Sequence, residues 1–195
     1  GLIDLHVHVI AVDLNLPRQA HMPNVLVTLR SVPILRGMLR RGFTTVRDAG
    51  GAGYDLKQAL ESGLAQGPRL LVSGRALSQT GGHGDGRGRY DYIASDSVCP
   101  TCARVGVIAR VADGVDAVRK AVREELQMGA DQIKIMASGG VASPTDPVDA
   151  FGYSEDEIRA IVAEASARNT YVMAHAYTPA AIARAVRCGV RTIEH

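Results

Sequence analysis

Leu2-Ile3-Asp4-Leu5-His6-Val7-His8-Val9 has the composition of a strand whose polar residues recur at every second position. Side chains in a strand alternate between faces, so Asp4, His6 and His8 share one side while Leu5 and Val7 share the other. Two imidazoles therefore converge near the end of one strand. Neutral imidazole binds zinc and similar divalent ions, and an HxH pair supplies two adjacent corners of a coordination shell. Two structural histidines would give the same spacing, so the rest of the chain has to decide.

Short β-rich runs of this kind alternate with helical patterns throughout, which is the signature of βαβ units and a parallel sheet. The runs predict six strands: Leu2 to Val9, Thr44 to Asp48, Arg69 to Gly74, Gln132 to Ala137, Tyr171 to His175 and Arg191 to Glu194. Helical patterns lie near Asn24 to Arg41, Asp55 to Ala65, Gly114 to Met128, Glu155 to Asn169 and Pro179 to Cys188. Ser154 followed by Glu157 reads as a capping box, and Gly129 and Gly189 stand where a left-handed helix cap is wanted. Between Leu77 and Asp113 neither element is strongly patterned. That stretch contains Gly81-Gly82-His83-Gly84-Asp85-Gly86 and follows the third strand, so in a parallel barrel it lies on the C-terminal rim, where such folds build their sites. No repeat or linker divides the chain, which predicts a single domain over residues 1–195.

The fourth of these strands, Gln132-Ile133-Lys134-Ile135-Met136-Ala137, places a lysine between two isoleucines. Only three lysines occur beside 19 arginines, so this amine is not an incidental surface cation. Burial lowers a lysine pKa and frees a nucleophilic amine, which can add carbon dioxide. The resulting carbamate is an anionic two-oxygen group able to bridge two metal ions. The alternative is a lysine paired with an interior carboxylate such as Asp4. Two further strands end in histidine, at His175 and His195. Four of the six histidines thus fall at strand ends beside one buried lysine. Metal-assisted hydrolysis needs such a set of neutral nitrogen donors plus an anionic ligand.

The bulk properties agree with small-molecule chemistry. The 22 basic and 20 acidic residues nearly cancel, and no basic run is interleaved with aromatics, which argues against nucleic acid and anionic membranes as partners. No apolar run is long enough to span a bilayer. Three cysteines make no disulfide framework and fit a reducing, cytoplasmic setting, and Cys99-x-x-Cys102 reads as a pair of ordinary loop thiols.

The ligand pattern resembles that of the amidohydrolase superfamily: HxH on the first barrel strand, a carboxylated Lys on the fourth, His on the fifth and sixth, and Asp on the eighth. His6, His8, Lys134, His175 and His195 match the first five of these in order. The segments Gly-Leu-Ile-Asp-Leu-His-Val-His, Thr-Thr-Val-Arg-Asp-Ala-Gly-Gly, Gly-Gly-His-Gly-Asp, Lys-Ile-Met-Ala-Ser-Gly-Gly and Ala-His-Ala-Tyr are similar to the zinc-dependent Xaa-Pro dipeptidase (prolidase) and Xaa-Arg/Lys carboxypeptidase group. The resemblance implies an α/β fold of the TIM-type (β/α)8 kind with about six of eight units present, the terminal β-sandwich and the last ligand, the Asp, lying outside the sequence. It implies two divalent ions, zinc above all, with His6, His8 and the Asp holding one, His175 and His195 the other, and a carbamate on Lys134 bridging them. The Asp would shuttle the proton, and the full-length enzyme would be a homo-oligomer.

The resemblance further implies that His83 and Tyr177 contact the free carboxylate of a dipeptide or other small substrate; Arg87, Arg89, Tyr90 and Tyr92 are candidate secondary contacts that a solvated loop face explains equally well. The activity so implied is hydrolysis of amide or peptide bonds in dipeptides or N-acyl amino acids ending in Pro. Alternatives are an Xaa-Arg/Lys carboxypeptidase, a lactonase or other cyclic amide hydrolase, and, from a different class, a non-catalytic metal-binding scaffold. A single-metal deaminase of the same superfamily is disfavoured by Lys134.

Overall fold

The computed structural model describes residues 1–87, 105–143 and 146–195; Arg89, Tyr90, Tyr92, Cys99 and Cys102 lie outside the described residues. The described elements run β1 (Leu2–Val7), α1 (Leu16–Ala20), α2 (Asn24–Arg40), β2 (Phe43–Asp48), α3 (Tyr54–Glu61), β3 (Arg69–Leu71), β4 (Ala76–Ser78), β5 (Ala109–Val111), α4 (Val115–Gln127), β6 (Ile133–Met136), α5 (Glu155–Ala167), β7 (Val172–His175), α6 (Pro179–Arg187) and β8 (Thr192–Glu194). Every ladder between them is parallel. The strands form one sheet in the order β1-β2-β3 and a second in the order β5-β4-β6-β7-β8. Helices connect most successive strands, as parallel pairing requires. Asp131 joins the two sheets: its N–H donates to Val72 O at 2.7 Å and its Oδ2 accepts from Val72 N at 2.9 Å. Among the described residues β1 is not paired with β8, and the strands stand as two parallel sheets with no closure between them.

Two strands stand where sequence reading predicted no strong pattern. β4 and β5 have three residues each, too few for alternation to show, and their identity comes from pairing, with Leu77 opposite Ile135 and Arg110. The third predicted strand stops at Leu71 because the chain turns at Gly74, whose φ is +63°. A Cβ there would meet Glu125 Oε2 at 2.1 Å, so the turn also needs the glycine's missing side chain. The short helix α1 is another addition. Asn15 caps it by accepting a hydrogen bond from Arg18 N.

Local chemistry accounts for the longer helices. In α5, Ser154 and Glu157 form the reciprocal capping box, and Ile158, Ile161 and Ala165 line one buried face at helical spacing. In α4 the buried positions are Val118, Ala121, Val122 and Glu125. These faces enclose β6 and β7 in one apolar cluster, while Val7, Val27, Leu35, Val46, Leu56 and Leu70 form a second beneath β1, β2 and β3. Complete burial of each Val, Leu or Ile contributes about 1.5–3 kcal/mol, so these clusters fix the strand ends from which the histidines project.

Candidate metal centre

β1 carries His6 near its end, and His8 follows one residue past it. His6 Nδ1 lies 2.8 Å from Glu194 Oε2 at the end of β8. The other Glu194 oxygen accepts from Arg47 Nη2 at 2.8 Å and from Thr192 Oγ1 at 2.9 Å. Arg47, on β2, also donates to Leu5 O at 2.7 Å and to the Tyr171 hydroxyl at 3.0 Å. A buried Arg–Glu pair therefore ties β8 to β1 and β2. Burial alone would push the Glu194 carboxyl up, but the hydrogen bonds from His6 and Thr192 and the nearby Arg47 and Lys134 charges hold it down at about 2.

The other imidazoles are oriented by main-chain oxygens. His8 Nδ1 stands 3.1 Å from Gly50 O, and His175 Nε2 stands 3.1 Å from Gly139 O. A carbonyl only accepts, so these nitrogens carry the hydrogen, leaving His8 Nε2 and His175 Nδ1 as free lone pairs. Asp48 supports the same region. Its carboxylate accepts from Val9 N, Gly50 N and Ala52 N, fixing the exits of β1 and β2, although burial raises its pKa to about 6.

The rings meet. Centroids are 5.2 Å apart for His6 and His8, 4.6 Å for His6 and His195, and 4.8 Å for His175 and His195. Burial lowers His8 to about 4 and His175 to about 3, outweighing the carbonyl hydrogen bonds, with neighbouring positive groups adding to the shift. Burial likewise lowers His195. These three imidazoles are therefore neutral at pH 7.

Lys134 lies among them at 1% exposure. It forms no hydrogen bond or ion pair with any described residue, so pairing with Asp4 does not occur. Desolvation brings its pKa down to about 8, against the opposing pull of Glu194. Tyr177 and His83 flank the group: Tyr177 lies 4.8 Å from His175 and 5.2 Å from His195, and His83 stacks on His175 at 4.3 Å. Ser138 Oγ accepts from Tyr177 N, which ties that residue to the end of β6.

Among the described residues no three His, Cys, Asp or Glu side chains already surround a common point as a ready metal group. The rings pack against one another instead, and the fit is judged by donor chemistry. Neutral imidazoles, distal nitrogens already engaged as hydrogen-bond donors, and a buried unpaired amine suit divalent ions bridged by a lysine carbamate. A cavity of about 600 Å³ lies elsewhere, against α3 and α4, and none of the candidate ligands lines it. Arg87 pairs with Asp85 in the glycine-rich loop. Sequence reading assigned no role to Arg47 or Glu194. The available signal was a charged residue inside an apolar strand, the same one that singled out Lys134.

Parallel strands bring the rings of His6, His8, His175 and His195 together, with the Lys134 charge within electrostatic reach of His8, His175 and His195. The model of the amidohydrolase family matches residues 1–195, and the chain belongs to that family. A curated ochratoxinase from Aspergillus niger is 39% identical over 162 residues, which cover 80% of this chain and 34% of that protein. A crystal structure of an amidohydrolase is 80% identical with a TM-score of 0.97, and a prolidase solved with N-methylphosphonate-L-proline is 67% identical with a TM-score of 0.96. Each is matched over 100% of this chain and 47% of its own. The chain thus spans about a third of the curated relative and about half of these solved chains.

Proposed function

We propose that this chain carries most of the ligands of a two-metal hydrolase that cleaves amide or peptide bonds in small substrates, above all dipeptides or N-acyl amino acids ending in Pro. The observation behind this reading is the meeting of four imidazole rings near a buried lysine that pairs with none of the described residues. His6 and His8 would hold one divalent ion, His175 and His195 the other, with zinc the expected metal and carboxylated Lys134 the bridge. When bound, such ions bring the pKa of a water towards ~7 and polarise a scissile carbonyl.

The residues of this chain prepare that chemistry. Glu194 and the Gly50 and Gly139 carbonyls hold the outer ring nitrogens of His6, His8 and His175, keeping the inner ones available as donors. The depressed pKa of Lys134 favours free amine, the form that would add carbon dioxide with release of one proton. Tyr177 and His83 bring a phenol and an imidazole to the border of the group, donors suited to a substrate's free carboxylate. Proton transfer to the leaving amine is assigned, on the family resemblance, to an Asp of an eighth barrel strand. The 67% identical prolidase, bound to a proline phosphonate, supports a C-terminal Pro as the preferred residue.

The test is a dipeptide library assayed on the full-length zinc-loaded protein, with a lactone as control. Release of proline from Xaa-Pro substrates is expected. Stoichiometric zinc without release of any C-terminal amino acid would overturn the peptidase reading while leaving the metal centre intact.

A further inference from the structure

The glycine-rich loop and the end of β6 are built around a contact that the proposed chemistry does not itself require. His83 lies flat on His175, with ring centroids 4.3 Å apart and planes 16° from parallel. Gly140 comes close to the same ring, where a Cβ would fall 2.2–2.7 Å from three atoms of the His83 imidazole. At Gly139 a Cβ would meet Pro147 O at 1.9 Å and Asp146 Oδ2 at 3.0 Å. The paired glycines after β6 therefore admit both the imidazole and the chain at Asp146–Pro147. His83 Nδ1 and Asp146 Oδ1 face each other at 3.9 Å, and both are buried without a hydrogen-bond partner. The other ring nitrogen, Nε2, is not among the buried unpartnered atoms.

Two buried, complementary, unpartnered atoms side by side are costly unless they are meant to meet. At 3.9 Å they are ion-paired in range but too far apart for a hydrogen bond, and catalytic contacts of this kind commonly tighten when substrate binds. We infer that Asp146 is a positioning residue for substrate recognition: it takes the Nδ1–H of His83 and so fixes Nε2 as the nitrogen presented to the substrate's free carboxylate. This rests on the proposed role of His83 in carboxylate binding. It is the imidazole–carboxylate arrangement that fixes histidine orientation around metal centres, applied here to a substrate contact. Gly140 belongs to the same device, since any side chain there displaces the ring.

Kinetics and spectroscopy on the full-length zinc-loaded enzyme test it together. Asp146→Ala should raise KM for a dipeptide acid by about tenfold or more while kcat changes less than about threefold, the pattern of lost substrate binding. The corresponding dipeptide amide, which has no carboxylate, should be little affected. Asp146→Asn should fall between, because its amide oxygen still accepts from Nδ1–H. The double variant His83→Ala/Asp146→Ala should be no worse than His83→Ala alone, as expected of residues acting as one unit. Additive losses, or an equal fall in kcat for acid and amide, would overturn the inference. An enzyme whose acid preference is untouched by His83→Ala would overturn the carboxylate reading instead. Independently of turnover, ¹⁵N-histidine NMR should show the Nδ1–H form of His83 in the parent and its loss in Asp146→Ala. An unchanged spectrum would sink the dyad whatever the substrate.

Discussion

β1 and β6 both deliver candidate ligands, yet they hold them by opposite means. All four residues of β6 are buried, with Lys134 enclosed between parallel neighbours and the helices α4 and α5. β1 is irregular, with register shifts against β2, and its Leu2, Ile3 and Leu5 side chains are 56%, 62% and 53% exposed. Lys134 is thus placed by packing alone. His6 and His8 are aimed by hydrogen bonds that their Nδ1 atoms make to Glu194 Oε2 and Gly50 O, in addition to the burial that lowers His8.

The largest effect should come from removing the ligand that packing holds. Lys134→Ala in the full-length protein should cut bound zinc below two equivalents and lower kcat/KM by at least about a hundredfold, because the anionic bridge is gone. Metal analysis and turnover unchanged by the substitution would instead favour a scaffold. On the β1 side, Glu194→Gln leaves His6 in place but weakens its alignment, and a loss of about 10–100-fold in zinc affinity is expected. Metal titration reads it, and an unaltered affinity would mean that burial holds His6 after all.

Stability should separate the same two regions. Ile161→Ala, beneath β6 and β7, should cost about 2–5 kcal/mol in denaturant unfolding. Leu5→Ala, on the exposed face of β1, should cost under about 1 kcal/mol by the same measurement. A large loss at Leu5 in a longer protein would show that another segment covers that face. Acid should weaken the metal-free protein. The folded-state pKa values of about 4 for His8 and about 3 for His175 lie below the ordinary 6.5, so from pH 6.5 down to those values the unfolded chain binds more protons. Stability should therefore fall across that window, seen as a Tm that drops with pH. A flat Tm between pH 6.5 and 4 would contradict the burial assigned to these rings. Ser154→Ala, which removes one half of the α5 capping box, should cost about 1 kcal/mol in the same denaturant unfolding measurement.

Much of this was legible because it depends on local rules. Helix periodicity and the Ser154–Glu157 box located α5, and alternation put His6 and His8 in one strand. Lys134 stood out since a lysine between isoleucines signals burial whatever the fold. β4 and β5 escaped because three residues carry no period, and β1 proved less regular than its alternation implied because the ladder with β2 shifts. Glu194 and Arg47 read as an ordinary acid and an ordinary base until residues 147 positions apart were found to be paired.

The sequence by itself determined the parallel α/β class, the helices that cover β6 and β7, and the residue types offered at the strand ends. All of these follow from periodicity, capping and the cost of burying charge. Only the tertiary structure decided which ring nitrogens are free, that Lys134 has no carboxylate partner among the described residues, and that His83 faces Asp146 beside two glycines. Those are relations between side chains far apart in the chain, set by strand register and burial, and no single segment contains them.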